Sequence, residues 1–121
     1  MKDLTARNIK PSVVSDQIGR LTFTDTLACG IKHLLDANLP YGTYNITNEG
    51  PFVSWAEIAK IVFEKSGKPA SDVRSISTAE YFSDKPDSAK RPLNSTLNLT
   101  KIEKTGFTPE DWRDKLSKLF N

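Results

Sequence analysis

Tyr81-Phe82-Ser83-Asp84-Lys85 sets a phenol and an ammonium four residues apart. On a helix such a pair lets the lysine lower the phenol's pKa, so that its hydroxyl donates a proton to a substrate oxygen. Pro86 follows at once, however, and a residue before proline is biased away from helical backbone. The pair is therefore not expected to hold that geometry. Cys29 and His33 are the sole cysteine and histidine, and both read as packing residues on one helix. A single cysteine also excludes an intrachain disulfide and a cysteine-based zinc site. None of the six glycines falls in G-x-G-x-x-G, G-x-x-G-x-x-G or G-x-x-x-x-G-K, and no serine sits in a G-x-S-x-G elbow. No catalytic, cofactor-binding or metal-ligating residue is assigned. These absences favour a binding or accessory domain over a complete enzyme.

The elements that must position any ligand contacts are short. Ser12–Ser15 and Leu21–Phe23 are rich in β-formers and flank Asp16-Gln17-Ile18-Gly19, whose Asp and Gly suit a turn. From Thr24, a candidate N-cap, Leu27, Ile31, Leu34 and Leu35 recur at helical spacing, with Pro40 beyond the end. Gly42–Thr47 predicts a strand, closed by the turn residues Asn48-Glu49-Gly50-Pro51. Ser54-Trp55-Ala56-Glu57 is a capping box opening a helix that Gly67 stops. Val73–Ser77 favours β structure, and Thr78–Phe82 a helical turn capped by Thr78. A polar stretch from Ser83 to Pro92 follows. Leu93–Leu97 reads as extended, and Thr100–Thr105 as a short helix ended by Gly106. Thr108-Pro109-Glu110-Asp111 opens a last helix with Pro at its first position, along which Trp112, Leu116, Leu119 and Phe120 form a docking face. The expectation is one α/β domain of α+β character over 1–121, with a few short strands and three to four helices.

Composition bounds the function. The chain has 121 residues, 37% of them hydrophobic, and 17 basic against 15 acidic side chains, a net +2 that forms no block able to grip nucleic acid. Apolar runs such as Ile61-Val62-Phe63 are far too short for a bilayer, and the N-terminus from Met1 to Arg7 lacks the apolar core of a signal peptide. The expectation is a soluble, cytoplasmic protein with neither nucleic acid nor membrane as partner. The three N-x-S/T sequons, at Asn45, Asn94 and Asn98, are then chance matches.

Val13-Val14-Ser15-Asp16-Gln17-Ile18-Gly19-Arg20-Leu21-Thr22 resembles the Val-Val-x-Asp-Gln-x-Gly-x-Pro-Thr signature of the dTDP-4-dehydrorhamnose reductases, a family of extended short-chain dehydrogenases. Leu21 stands where that signature has proline. Gly42–Thr47 with Ser54–Ala59 resembles the family's Gly-x-Tyr strand and Ser-Trp helix. Arg91-Pro92-Leu93-Asn94-Ser95-Thr96-Leu97 resembles its Arg-Pro-x-Asn-Ser-x-Leu motif, and Asp111-Trp112-Arg113 its ending. Phe23–Leu27 and Thr105–Pro109 look most like actinobacterial members, some of which carry a dTDP-4-dehydrorhamnose 3,5-epimerase ahead of the reductase.

The resemblance implies the C-terminal, substrate-binding portion of a Rossmann-type enzyme that uses NADPH, with magnesium associated with the family, to reduce the C4 ketone of dTDP-4-keto-L-rhamnose. It also implies that the glycine-rich turn and the catalytic Tyr and Lys lie in an upstream nucleotide-binding domain, so that this chain alone is catalytically incomplete. Within the implied dTDP-sugar pocket, Arg91 offers a planar fork for phosphate beside the stiffening Pro92. Asn94 and Ser95 offer hydrogen bonds, and Gln17 and Arg20 flank Gly19 on a loop. Trp55 and Trp112 read as packing residues. A chain separated from its upstream domain is expected to expose apolar surface and to be able to dimerise through that face. The alternative expectation is a free-standing interaction or regulatory module of the same fold.

Overall fold

Ser54 and Glu57 close the capping box as the sequence predicts. The Ser54 Oγ accepts from the Glu57 amide at 3.2 Å, and the Glu57 carboxylate accepts from the Ser54 amide at 2.7 Å. In the computed structural model, which describes residues 2–121, this box opens helix α3 (Trp55–Lys65). Met1, where the expected non-secretory N-terminus begins, lies outside the described residues. The helix stops in a Schellman motif: Gly67 has φ of +73°, its amide donates to Glu64 O, and the Lys68 amide donates to Phe63 O. A side chain at this φ would be strained, which is why glycine stands there.

Helix α3 is the centre of the first of two compact units, comprising the residues up to Gly19, Phe52–Ser95 and Phe120. Its face of Ala56, Ala59 and Phe63 packs with Val13 and Val73 in one apolar cluster. Val13 belongs to strand β1 (Ser12–Val14), which runs parallel to β4 (Arg74–Ile76) with Val13 opposite Ser75. A second ladder pairs β2 (Ile18–Gly19) antiparallel with β3 (Val53–Ser54). A short helix α1 (Lys2–Ala6), unsignalled by any cap in the sequence, and α4 (Thr78–Phe82) complete this unit.

The second unit comprises Arg20–Pro51 and Thr96–Leu119, with Asn121. It holds α2 (Thr24–Asp36), α5 (Thr100–Glu103) and α6 (Trp112–Lys118), and it buries Leu99, Ile102, Trp112 and Leu116. Gly106, with φ of +93°, ends the turn that follows α5. Six helices are thus present among the described residues, more than the three to four expected: the short turns read at Thr78–Phe82 and Thr100–Thr105 count as α4 and α5, and the five-residue α1 adds one that no cap signals.

Several local expectations shift. Leu21–Phe23 forms no strand: the Phe23 amide donates to the Asn48 side chain and the Thr22 hydroxyl meets Thr47, so side chains take the place of a ladder. Gly42–Thr47 has no strand partner among the described residues and is not a strand, since extended backbone becomes β structure only beside a neighbour. The caps also move. Phe23 precedes α2 without a side-chain cap, Ser77 rather than Thr78 caps α4, and Asp111 caps α6, placing Pro109 ahead of the helix. On α2 the buried residues are Thr26 and Gly30, whereas Ile31 and Leu35 are 54% and 75% exposed. No helix among the described residues is long and apolar enough to cross a membrane.

Candidate functional site

Ile18 joins two sequence blocks that lie far apart in the chain. Its amide donates to Leu93 O and its carbonyl accepts from the Ser95 amide, both at 2.8 Å, so Asn94 lies beside it in a parallel bridge. Gly19 is buried beside this bridge, where a Cβ would lie 3.5 Å from the Ser95 Cβ, at ordinary contact distance. The first unit thereby brings together four of the five residues expected to contact ligand, Gln17, Arg91, Asn94 and Ser95. Arg91, Asn94 and Ser95 are exposed, whereas Gln17 is only 8% exposed.

The adjacent Asp16 and Gln17 both engage Thr78 at the start of α4. The Asp16 carboxylate accepts from the Thr78 amide at 2.9 Å and from its hydroxyl at 2.7 Å, and the Gln17 amide donates to the same hydroxyl at 3.1 Å. Gln17 therefore uses one donor to hold the fold, and Asp16 is an anchor rather than only a turn residue. The Thr78 hydroxyl, then its amide, hold the Asp16 carboxyl below the usual carboxylate range. A carboxyl with a depressed folded-state pKa stabilises the fold above its unfolded pKa of about 3.9, and that contribution disappears as pH falls through the folded value. Asp16→Asn is expected to lower the urea midpoint at pH 7, with the gap to wild type narrowing as pH drops below about 4. A gap of equal size at pH 3 and pH 7 would refute the anchoring role.

Beside α4 lies an open cavity of about 340 Å³ whose lining includes Thr78, Phe82, Lys85, Pro86, Lys90 and Arg91. Lys85 lines it, but the Tyr81–Lys85 pair lacks catalytic geometry. The Lys85 ammonium donates to Tyr81 O at 2.8 Å and to Asp84 at 3.1 Å, and it sits 4.2 Å from the Tyr81 ring centroid, over its face. That is a cation–π contact within a helix end.

Arg20, the fifth expected contact, opens the second unit, where its guanidinium lies 3.9 Å from the Glu49 carboxylate and its side chain is 13% exposed. A hydrogen bond with Glu49, then burial, raises the Glu103 carboxyl above its ordinary value. His33 is structural here as expected: its Nε2 meets Thr105 O and Oγ1 at 3.1 and 2.9 Å, and its ring tilts against Phe107. Cys29 differs from expectation in being exposed, as does Trp55 at 39%. Trp112 is fully buried.

No three His, Cys, Asp or Glu side chains among the described residues come together as metal ligands do. The three longer helices carry Asp25, Glu57 and Asp114 in their first turns, where a pyrophosphate needs bare amides and positive charge.

A family model described as the RmlD substrate binding domain matches residues 1–121. The chain belongs to that family. Among curated relatives, a dTDP-4-dehydrorhamnose reductase of Aggregatibacter actinomycetemcomitans is 36% identical over 118 residues, covering 88% of this chain and 38% of the relative. The Bacillus subtilis spore coat polysaccharide biosynthesis protein SpsK is 38% identical over 104 residues, covering 86% of this chain and 34% of its own length. The crystal structure of a dTDP-4-dehydrorhamnose reductase from Bacillus anthracis in complex with NADP superimposes with a TM-score of 0.81 at 32% identity, covering 98% of this chain and 40% of that one. The chain thus spans well under half the length of these relatives. The α/β character expected from the sequence is that of the substrate-binding region of a Rossmann-like extended short-chain dehydrogenase.

Proposed function

We propose that this chain is the substrate-holding part of a sugar-nucleotide reductase acting in dTDP-rhamnose synthesis. Residues 1–121 would serve as one functional domain, and the reaction of the whole enzyme would be NADPH-dependent reduction of dTDP-4-keto-L-rhamnose. The observation that carries the reading is the pairing of Ile18 with Leu93 and Ser95, which draws two motif blocks into one polar surface in the first unit. There Arg91 supplies a phosphate fork, and Asn94, Ser95 and Gln17 supply hydrogen-bonding groups. Arg20, neutralised by Glu49, is the weaker candidate within this set.

NADPH, the hydride donor of the parent reaction, belongs in this reading to a nucleotide-binding half supplied by the rest of the enzyme. That half is the chain's natural partner. The exposed Ile31 and Leu35 of α2 support an apolar docking surface of this kind, and any magnesium would be held by the same missing half.

Titrating dTDP-rhamnose into the 15N-labelled chain is expected to move the amides of Arg91, Asn94 and Ser95 in a saturable way. Oxidation of NADPH by the chain alone should be absent. Silence at Arg91 and Ser95 throughout the titration would sink the assignment.

A further inference from the structure

The exposed stretch that follows α4 is tied at both ends to the same three residues, Asp16 to Ile18. We propose that the span between the ties, residues 83–92, is a lid that closes over an anionic ligand held at Asn94 and Ser95. The proposal rests on the sugar-nucleotide reading above and adds a moving part to it, one that carries Arg91 onto the ligand only as it closes.

The near tie is Thr78, whose amide and hydroxyl donate to the Asp16 carboxylate at 2.9 and 2.7 Å and whose hydroxyl also accepts from the Gln17 side chain at 3.1 Å. The far tie is the pair of main-chain bonds that Ile18 makes with Leu93 and Ser95, both 2.8 Å. A loop whose ends meet on neighbouring residues has already lost the entropy of bringing those ends together, and surface loops of this form are frequently functional. Between the ties nothing holds the span down. Every residue from Ser83 to Pro92 is exposed, and among the described residues each hydrogen bond and ion pair of the span finds its partner between Glu80 and Ser88. Exposed backbone bonds and few buried contacts mark the segments of a fold that open most readily.

The span also has room to move. Every residue lining the cavity of about 340 Å³ lies between Thr78 and Arg91, so the loop surrounds open space instead of packing on its own side chains. Phe82 and Pro86 give that space apolar surface that closing would cover. Pro86 and Pro92 restrict the backbone, which leaves the span fewer conformations to lose. A ligand shifts such an equilibrium only as far as it binds the closed form better. Arg91 provides the difference, because it rides on the span two residues before the Leu93 tie, and its charge-assisted bonds to phosphate form only where the span comes down. A neutral sugar meets the pinned Asn94 and Ser95 alone and leaves the lid open.

Amide exchange in the 15N-labelled chain tests this at Lys85 and Ser88, whose amides donate within the loop to Phe82 O and Lys85 O at 3.0 and 3.1 Å. Neither belongs to the expected ligand contacts. Both are expected to exchange freely without ligand while Ile18 and Ser95 stay protected. Saturating dTDP-rhamnose should slow both by about tenfold or more, and rhamnose alone should leave them unchanged. Trypsin gives an independent readout: Pro86 and Pro92 block cleavage after Lys85 and Arg91, so Lys90–Arg91 is the one bond in the span it can cut. dTDP-rhamnose should slow that cut in step with exchange at Lys85 and Ser88. In Arg91→Gln the ligand should still move the Asn94 and Ser95 amides but protect neither reporter. Shifts at Arg91, Asn94 and Ser95 with exchange at Lys85 and Ser88 unchanged would overturn the lid while leaving the sugar-nucleotide reading intact. Full protection of Lys85 and Ser88 in the ligand-free chain would also overturn it, and no response to dTDP-rhamnose anywhere would overturn both.

Discussion

Trp112→Ala is expected to destabilise the second unit by about 4 kcal/mol, the range found when a large buried aromatic is truncated. Trp112 is 0% exposed, and it is bound by its polar atoms as well as by its volume. Its indole Nε1 donates to Pro51 O at 3.0 Å and its amide donates to Glu49 O at 3.0 Å. Gly50 is moulded to it: φ is +109°, and a Cβ there would lie 2.9 Å from the indole Cδ1 and 2.7 Å from an Asp111 oxygen. The loop before β3 and the start of α6 are therefore one fitted joint, and removing the indole leaves a void that Gly50 cannot fill. The change should abolish amide-exchange protection at Ile102 and Leu116 while the α3 amides of the first unit stay protected. Trp112→Phe, which keeps most of the ring but loses the Pro51 bond, should cost about 1–2 kcal/mol. Wild-type protection at Ile102 in the alanine variant would contradict this account.

Asn48→Leu is expected to have the next largest effect, about 3–5 kcal/mol, although it inserts an apolar side chain at a buried position. Asn48 is fully buried and uses both ends of its amide. Its oxygen accepts from the Phe23 amide at 2.9 Å, and its nitrogen donates to the Thr26 hydroxyl and to Glu110 O at 2.9 and 2.8 Å. Leucine leaves the buried Thr26 hydroxyl and the half-buried Phe23 amide without this partner, while Glu110 O keeps the Glu49 amide at 3.1 Å, and each group so stranded costs about 1–3 kcal/mol. In a Trp55→Phe background the remaining indole, Trp112, reports on the second unit alone, so a urea melt followed by its fluorescence measures the loss. A change below about 1 kcal/mol would show that water or a backbone shift satisfies the Phe23 amide and the Thr26 hydroxyl instead.

Much of the fold was legible wherever a signal is local. Ser54 with Glu57, Gly67 and Gly106 each act within one turn of chain, and each does what its residue type and spacing predict. The errors arise where a distant partner decides. Thr78 reads as a cap, but its hydroxyl is taken by Asp16, 62 residues away, and Ser77 caps in its place. Leu21–Phe23 reads as a strand, but the Asn48 side chain claims the Phe23 amide. On α2 the apolar spacing marks Ile31 and Leu35, yet the packed positions are Thr26 and Gly30, and a Cβ on Gly30 would come within 3.0 Å of Ile46. That glycine in mid-helix was the available sign of close packing.

The candidate site divides in the same way. Arg91, Asn94, Ser95 and Gln17 could be named from their types and motif positions. The anchoring of α4 by Asp16 could not, because it depends on a contact across the chain. The cavity was hidden in a stretch that reads only as polar and proline-containing, since Phe82, Pro86, Lys90 and Arg91 share no periodicity.

The hold of Ile18 on Leu93 and Ser95 is made by main chain alone. Alanine scanning would report Ile18 as a modest apolar position and miss its part in aligning the two blocks, because every amino acid except proline carries the same donor and acceptor. Side chains at 18, 93 and 95 can therefore drift over evolutionary time without uncoupling the blocks. Only an edit to the backbone itself, such as Ile18→Pro or an amide-to-ester exchange at Ser95, reaches the connection, and heredity has few ways to write one.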